Sequence, residues 1–477
     1  MRNTVIGLVL VSVFLFARVA TAANPGDLDS TFGDGGVVFE NTVLDSDSSG
    51  GTGDLFKKLL IQADGKIVAV GVWQYSRNIL VRYNPNGRRD DTFGDQGKVF
   101  TDVISYSDST EMATLQTDGK IIVTGASDGR RFRAARYNTN GNLDVDFTNN
   151  AAAAYFTNSP REFYGHAVAV QPDGKVVVAG NCGDICVGRL TSEGLADPGF
   201  GGGDGIVTIP YTTFGGDFAH VNDLVLQPDG KIVVGGYTFR PISEGMSDVD
   251  VFLARFDSGG SLDNTFGEGG KVVLGTGAAD LGRDVILQPD GKIVIAGSCY
   301  DNDGRGSFCM FRVNSNGSLD CDWRLLFFCG IELVTFDLHD EGKAIGLQPD
   351  GKLVFAGECA LPSRETNVCI ARIRSDGTMD SGFGFGGRVS RQLRSTGGIH
   401  GVMSLARQLD GKILLGGGIS LAPQGGPGVS FIARFHDGIS IPPLGTIIGG
   451  CTSVDRRCCK MEHGICTLCV PRSSPCP

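Results

Sequence analysis

The chain has 477 residues, with 42 Lys and Arg against 53 Asp and Glu, a formal net charge of −11, and 72 glycines. An acidic chain is a poor partner for nucleic acid or for an anionic membrane surface. The glycine content is about twice the usual fraction, which favours short strands joined by tight turns over amphipathic helices.

The N-terminus has the pattern of a secretory signal peptide. Arg2 gives a positive start, Val5–Ala17 is an apolar run, and Ala20-Thr21-Ala22 is a small-x-small cleavage site. The run is shorter than the about 20 residues that a transmembrane helix needs. We therefore predict a signal peptide at 1–22 and no transmembrane segment after its cleavage. The mature chain would be secreted, periplasmic or at the cell surface.

One phrase, Gln-Pro-Asp-Gly-Lys followed by an apolar run and Gly, occurs in seven copies with small variations. The copies begin at Gln62, Gln116, Gln171, Gln227, Gln288, Gln348 and Gln408, and their turn aspartates lie 54 to 61 residues apart. Pro-Asp-Gly predicts a tight hairpin turn, and a run without polar alternation predicts a strand buried on both faces. The period predicts an array of supersecondary units.

A second strand in each unit carries an arginine at one fixed position. These are Arg82, Arg136, Arg189, Arg255, Arg312, Arg372 and Arg434. Eight residues after each of the first six stands an acid: Asp90, Asp144, Asp197, Asp263, Asp320 and Asp380. Arg434 has no such acid after it, whereas an unpaired Leu-Asp-x-Thr-Phe-Gly at the N-terminus offers Asp29.

This count predicts an all-β, seven-bladed β-propeller of four-stranded blades, closed by an N-terminal strand at about residues 31–40 beside 430–435. Closure hides sheet edges that invite aggregation. An open β-solenoid is the alternative fold, but it gives the displaced N-terminal strand no purpose. We interpret the arginine and aspartate set as repeated structural ion pairs; the alternative is a ring of ligand-binding charges. The repeated aromatics predict a core between blades: Phe32, Phe93, Phe147, Phe200, Phe266, Trp323 and Phe383.

These motifs together resemble the delta-60 repeat of exported bacterial proteins. The resemblance covers roughly residues 24–438 and implies a propeller and export, with no established activity. Two copies depart from it: 143–148 lacks the glycines, and 320–323 replaces Thr-Phe-Gly. We expect irregular outer strands there.

Fourteen cysteines in an exported chain predict disulfides rather than zinc thiolates. Positions within equivalent hairpins predict Cys182–Cys186, Cys299–Cys309 and Cys359–Cys369, and the remaining propeller pair is Cys321–Cys329. The propeller domain would span 23–439, followed by a Pro/Gly linker at 440–450 and a disulfide module at 451–477. The module contains Cys451, Cys458, Cys459, Cys466, Cys469 and Cys476, whose connectivity the sequence leaves open. It is either a stabilising cap or a docking and attachment module.

Strand order puts the Asp-Gly turns on one face of the propeller and the loops of variable length on the other. Variable loops on a rigid scaffold are the usual place for binding. Aromatics in these loops predict a binding surface for a glycan or a protein: Trp73, Tyr75, Tyr211, Tyr237, Phe239 and Tyr300.

Catalytic motifs are not apparent among the six histidines and the serines, so we predict no catalytic residue, cofactor or metal. The favoured function is an exported binding scaffold, monomeric, with no nucleic-acid partner. The alternatives are a structural envelope component attached through the tail, and a polysaccharide-active hydrolase or lyase with acids converging on the central channel.

Overall fold

The computed structural model describes residues 23–40, 55–73, 77–101, 112–127, 131–153, 164–243, 246–323, 329–336, 339–360, 366–394, 399–420 and 428–438, and the backbone of 456–462 and 465–471. The predicted signal peptide and the predicted linker lie outside these ranges.

The described part of the propeller folds into seven antiparallel sheets, which confirms the seven-bladed fold. The first four blades contain, from the axis outwards: blade 1, β2 (Leu55–Ile61), β3 (Ile67–Trp73), β4 (Arg77–Tyr83) and β5 (Lys98–Thr101); blade 2, β6 (Met112–Leu115), β7 (Ile121–Ser127) and β8 (Arg131–Tyr137); blade 3, β9 (Tyr164–Val170), β10 (Val176–Asn181), β11 (Ile185–Leu190) and β12 (Ile206–Ile209); blade 4, β13 (Phe218–Leu226), β14 (Ile232–Ser243), β15 (Met246–Phe256) and β16 (Lys271–Leu274).

The last three blades contain, in the same order: blade 5, β17 (Asp280–Leu287), β18 (Ile293–Tyr300), β19 (Gly306–Val313) and β20 (Ile331–Val334); blade 6, β21 (His339–Leu347), β22 (Leu353–Ala360), β23 (Thr366–Ile373) and β24 (Arg388–Arg391); blade 7, β25 (Ile399–Arg407), β26 (Ile413–Ser420), β27 (Gly428–Phe435) and β1 (Val37–Glu40).

The first strand of each blade contacts the first strands of both neighbouring blades, and these seven strands surround the central axis. We call the end that carries the Asp-Gly turns the turn face. The opposite end, where second strands connect to third strands, is the loop face. Among the described residues, no helix has the length and apolarity needed to span a bilayer.

The N-terminal strand closes the ring as predicted. β1 pairs antiparallel with β27, with Val37 opposite Ala433 and Glu40 opposite Ser430. Asp29 contacts Arg434 at 2.8 Å. Blade 7 is therefore built from both ends of the propeller, and its outer edge is covered by a strand from the opposite end of the chain.

Each repeated arginine lies against the aspartate that the sequence pairs with it. The N–O distances are 2.6–2.9 Å for Arg82–Asp90, Arg136–Asp144, Arg189–Asp197, Arg255–Asp263, Arg312–Asp320, Arg372–Asp380 and Arg434–Asp29. The lysine of each Asp-Gly-Lys turn reaches the same carboxylate, at 2.9 Å in Lys292–Asp320 and at 4.0 Å in Lys231–Asp263. The sequence analysis missed this role of the lysine, although the residue recurs in every copy.

The same arginines connect each blade to the next. Each guanidinium donates a hydrogen bond to a backbone carbonyl of the following blade: those of Thr139, Ser192, Ser258, Ser315, Ser375, Asp437 and, for Arg434, Pro85 of blade 1. Each also stacks over the repeated aromatic of its own turn, at 4.2–4.7 Å from the ring centroid. The arginines thus form a closed cycle of contacts around the propeller.

Hydrophobic side chains fill the spaces between blades. The described residues form one buried cluster at each of the seven blade interfaces. Phe32, for example, packs between blades 7 and 1 with Ile432 and Phe56. The second strands are buried along their length, as β10 shows, because a sheet lies on either side of them.

The two repeats that depart from the sequence pattern differ in the structure that follows their third strand. In blade 2 the described residues form three strands, and the segment that follows is helix α1 (Val145–Ala153), where other blades have a glycine-rich turn. Blade 5 keeps its fourth strand despite Trp323. A 3₁₀ helix, Tyr211–Phe214, precedes blade 4.

Four disulfides join Cys182–Cys186, Cys299–Cys309, Cys321–Cys329 and Cys359–Cys369, the four pairs that the sequence predicts. In the tail, β28 (Arg456–Glu462) pairs antiparallel with β29 (Ile465–Pro471). Cys458 stands opposite Cys469 in this hairpin. The disulfide connectivity of the tail stays an open prediction.

A β-bulge at one shared position interrupts the pairing of the first two strands in six blades, and blade 7 has a second irregularity between Ile399 and Gly401. In blade 4, Val221 stands opposite Gly236 and Asp223 opposite Gly235, so Asn222 is an extra residue. The equivalent extra residues are Lys57, His166, Asn222, Arg283, Lys343 and Met403. A bulge re-aims a side chain, and these bulges lie on the strands that surround the axis.

The glycine that ends each repeated phrase makes the bulge possible. A Cβ on Gly297 would stand 1.7 Å from the carbonyl oxygen of Leu281 on the bulged strand, and one on Gly236 would stand 1.9 Å from that of His220. Gly71, Gly180, Gly357 and Gly417 face the same obstacle. A side chain at this position is excluded because backbone occupies its place.

We predict that Arg189→Met destabilises the protein by about 3–5 kcal/mol, because it leaves the buried Asp197 without its arginine partner. The measurement is urea unfolding of oxidised protein followed by tryptophan fluorescence. The matched control is Arg305→Met on an exposed loop of blade 5. A loss below about 1 kcal/mol, the usual value for a surface pair, would contradict this role.

We also predict that Gly297→Ala costs about 2–4 kcal/mol in the same assay, since the new methyl group must displace backbone. Gly259→Ala is the control, because its Cβ would meet Asp257 at an ordinary 3.4 Å. Equal stability of the two variants would show that the bulge does not require glycine.

Candidate functional site

The bulged residues meet in a cavity on the propeller axis. This cavity measures about 220 Å³ and is lined by the bulged residues Lys57, Asn222, Arg283, Lys343 and Met403. The residue that follows the bulge contributes in several blades, including Lys58, Asp284 and Ser404. Side chains from blades on opposite sides of the ring therefore face one small space, which we call the axial cavity.

Positive charge is concentrated in the axial cavity. Lys57, Lys58, Arg283 and Lys343 all line it, whereas the chain as a whole has a net charge of −11. A cavity with low-dielectric walls focuses the field of the charges that line it. The site is suited to an anionic group even though the protein is acidic.

Two aspartates follow bulges in neighbouring blades and form a buried carboxyl pair. Asp223 accepts a hydrogen bond from the Val285 backbone N–H at 2.9 Å, and Asp284 accepts one from Ile345 at 2.8 Å. Each carboxyl group thus forms a hydrogen bond with the backbone of the following blade. Burial, and then the charge of Asp284, raise the pKa of Asp223 well above its usual range. This shift favours the protonated form of Asp223, which shares a hydrogen bond with Asp284.

Aromatic rings lie beside the lining residues Asn222 and Arg283, on the loop-face side of the cavity. His220 and Tyr237 stack with ring centroids 5.3 Å apart and planes 4° from parallel. His166 lies 4.6 Å from His220, and the Arg283 guanidinium lies 5.6 Å from the Tyr237 ring centroid. This group connects blades 3, 4 and 5 at the mouth of the cavity.

Both histidines are neutral at physiological pH. Burial, together with the neighbouring His220, lowers the pKa of His166 to about 3. Burial, and then the charge of Arg283, lower the pKa of His220. His220 therefore offers a neutral nitrogen to a ligand, whereas His166 is buried.

Blade 6 adds a polar group to the same mouth. The Tyr300 hydroxyl lies 3.4 Å from Glu341 Oε1, and Lys343 donates a hydrogen bond to Glu341 Oε2. Burial raises the pKa of Glu358 to about 7, and the charge of Glu341 acts in the same direction. Burial also raises the pKa of Tyr300 to about 12, so its hydroxyl remains a hydrogen-bond donor.

Two buried nitrogens at this mouth lack partners. Arg283 Nε and His220 Nδ1 have no hydrogen-bond partner among the residues that the structure describes. An unsatisfied buried polar group costs about 1–3 kcal/mol. Both atoms therefore favour a ligand that supplies hydrogen-bonding oxygens.

The predicted aromatics divide into three groups. Tyr237 and Tyr300 stand at the mouth of the axial cavity. Phe239 lies further along β14 and packs against Phe218 at 5.8 Å, and Tyr211 packs between blades 3 and 4. Tyr75 and the side chain of Trp73 lie outside the described part of the chain.

A larger cavity, of about 700 Å³, opens on the turn face between blades 1 and 2. Its lining includes Arg82, Lys66 and Gln62. Arg82 and Lys66 already bind the carboxylate of Asp90 at 2.8 and 3.2 Å. The cations of this cavity are thus already paired in the contacts between blades. The axial cavity is therefore the better candidate site.

Sequence reasoning missed the bulged residues because their identity changes from blade to blade. A signal was nevertheless present: each repeated phrase ends in glycine, and glycine inside a strand pattern indicates a bulge or a close backbone approach. The bulged residue lies five positions before the turn glutamine in every case, as in Arg283 and Gln288.

The loop face also contains a carboxyl group whose burial disfavours its ionised form. Asp280 is fully buried at the start of β17 and accepts a hydrogen bond from the Thr276 hydroxyl at 2.9 Å. Burial raises its pKa to about 6, and the charge of Asp250 adds to this effect. Between about pH 4 and 6 the unfolded chain ionises Asp280 while the folded protein does not, so this group makes the protein less stable as the pH rises.

We therefore predict that Asp280→Asn stabilises the protein at pH 7 by at most about 3 kcal/mol. The gain should shrink as the pH falls from 6 towards 4, where both states protonate the aspartate. Urea unfolding at a series of pH values measures it, with the exposed Asp303→Asn as the control. A gain that does not change with pH would contradict the assignment.

Six segments of the chain match a family model described as "Domain of unknown function (DUF5122) beta-propeller": residues 62–93, 116–147, 171–200, 227–266, 288–320 and 348–383. Each match runs from a turn glutamine to or near the repeated aromatic. The repeat at Gln408 differs because its aromatic turn lies at the other end of the propeller, around Phe32. No curated protein matches the sequence.

Several solved structures are similar at low identity. A protein of unknown function from Dyadobacter fermentans has 12% identity and a TM-score of 0.39, covering 84% of this chain and 99% of that one. An ulvan lyase of polysaccharide lyase family PL25 has 11% identity and a TM-score of 0.45, covering 81% and 96%. A gluconolactonase from Xanthomonas campestris has 12% identity and a TM-score of 0.32, covering 88% and 99%.

Similarities at these levels carry no argument about activity. The repeat matches and the seven blades show that this chain is similar to a β-propeller repeat family.

Proposed function

We propose that this protein is an exported binding protein that takes a polar, hydroxyl-bearing ligand, a saccharide, at the loop-face mouth of its axial cavity. The observation that carries the proposal is the stacked pair of His220 and Tyr237 beside the partnerless nitrogens of Arg283 and His220. Flat aromatic faces next to hydrogen-bonding groups suit sugar rings, which have apolar faces and polar edges.

Two features support export. Disulfides persist in oxidising compartments, and four are present in the propeller. The signal-peptide pattern at residues 1–22 and the delta-60 motifs agree with this location. The Cys-rich tail would then attach or cap the propeller outside the cytoplasm.

The cavity favours a saccharide over a protein surface as the ligand. At about 220 Å³ it is smaller than pockets for drug-sized molecules, which measure about 300–1,000 Å³. A cavity of this size accommodates a single ring or the end of a chain. We therefore propose that the ligand inserts one residue and that any remaining part lies across the loop face.

The carboxyl geometry does not favour a hydrolase. Asp223 and Asp284 share a hydrogen bond, whereas the two carboxyls of glycosidases stand about 5–10 Å apart. Each of these aspartates also holds a backbone amide of the next blade. These two aspartates therefore connect the bulged strands of neighbouring blades.

The test is isothermal titration calorimetry of the oxidised chain from residue 23 onwards. The probes are the trisaccharides of cellulose, chitin and polygalacturonate. We expect saturable binding of at least one probe, and a loss of about tenfold in Tyr237→Ala, because one aromatic contact contributes about 0.5–1.5 kcal/mol beyond its buried area.

The control variant is Phe385→Ala, whose ring is 93% exposed on the turn face of blade 6. It should bind like the unmodified protein. Binding that Tyr237→Ala leaves unchanged would place the ligand elsewhere. No binding of any probe would contradict the proposal and would favour the structural role in the cell envelope.

A further inference from the structure

The charges of the axial cavity specify the ligand more closely than the neighbouring rings of His220 and Tyr237 do. Four cations face the cavity from blades on different sides of the ring: Lys57 and Lys58 from blade 1, Arg283 from blade 5 and Lys343 from blade 6. Lys57, Arg283 and Lys343 stand on bulged positions, and Lys58 follows one, so the backbone itself directs them to the axis.

Four acids of the described part of the chain lie in or near the axial cavity. Asp284 lines the cavity, and Glu341 accepts a hydrogen bond from Lys343. Burial, and then the charge of Asp284, raise the pKa of Asp223, which favours its uncharged form. Glu358 titrates near neutrality, since burial raises its pKa to about 7. Among the described residues that line the cavity, cations outnumber acids by four to one, which suits an anionic ligand.

Arg283 is the cation with an unmet hydrogen bond. Its Nε is buried and has no acceptor among the described residues, while its guanidinium stands over Tyr237 at 5.6 Å. The guanidinium fork presents parallel N–H groups that fit the two oxygens of a carboxylate. A sugar ring against Tyr237 would bring a carboxylate on that ring next to Arg283.

We propose that the axial cavity binds a uronic acid residue, with Arg283 contacting its carboxylate. This inference depends on the proposed function, because it names the class of saccharide that the same site takes. Lys343 and Lys58 add electrostatic attraction, and His220 and Tyr237 contact the ring. The residue is either a free sugar acid or the end of an acidic polysaccharide.

The experiment compares each acidic probe with a neutral form of the same size. Titration calorimetry measures trigalacturonate against its methyl ester, and galacturonate monosaccharide against its methyl ester. We expect the acid to bind at least tenfold more tightly than the ester in one or both pairs. Tight binding of the monosaccharide identifies a free sugar acid as the ligand, and binding of the trisaccharide alone identifies a chain end.

Variants then assign the preference to Arg283. Arg283→Gln should bring the affinity for the acid down to that for the ester and leave the ester unchanged, and Arg283→Lys should give an intermediate affinity. Arg305→Gln, an exposed arginine on the loop face of the same blade, should behave like the unmodified protein. Thermal unfolding of each variant establishes that the propeller remains folded.

The outcomes separate this inference from the proposed function. Equal affinity for acid and ester, with a loss of both in Tyr237→Ala, would overturn the uronate assignment and keep a neutral saccharide as the ligand. A preference for the acid that persists in Arg283→Gln would overturn the role of Arg283. No binding of any probe would overturn both.

Discussion

The buried arginine of each repeat is the contact on which the rest of the structure depends. It bonds the aspartate of its own turn, stacks on the turn aromatic and donates a hydrogen bond to a carbonyl of the next blade, as Arg312 does to Asp320, Trp323 and Ser375. A guanidinium can do all three because it is planar and has five N–H donors. Seven such contacts close on themselves only when the last arginine finds both its acid and its carbonyl at the beginning of the chain.

The repeated residues and the residues of the candidate site occupy different positions of the repeat unit. The turn face carries the repeated Arg, Asp and Lys, and its charges are paired with one another. The axis carries residues that vary at the bulge, such as Asn222, Arg283 and Met403. The glycine opposite each bulge fixes the backbone and leaves the bulged side chain unrestricted. The propeller thus keeps the same bulge in six blades, and five of the six bulged side chains line the axial cavity.

Much of the fold could be predicted from the sequence, because it depends on repeated residues. The missing partner of Arg434 indicated ring closure, and equivalent cysteines indicated the disulfides. The site could be predicted only in part. The sequence pattern places Tyr237 and Tyr300 in variable loops, whereas Tyr237 lies within β14 and Tyr300 is the last residue of β18. The charged residues of the axial cavity are contributed by three separate blades, and a pattern within one repeat cannot show which positions meet across the ring.

The central claim is that the bulges of the innermost strands direct side chains into one anion-binding site on the axis. A crystal structure of the oxidised protein soaked with galacturonate tests this claim most directly. The account predicts electron density for the sugar on the loop-face side of the axial cavity, with its carboxylate against Arg283 and its ring beside Tyr237. A sugar bound only on the turn face or between outer strands, with the axial cavity filled by protein side chains, would contradict it.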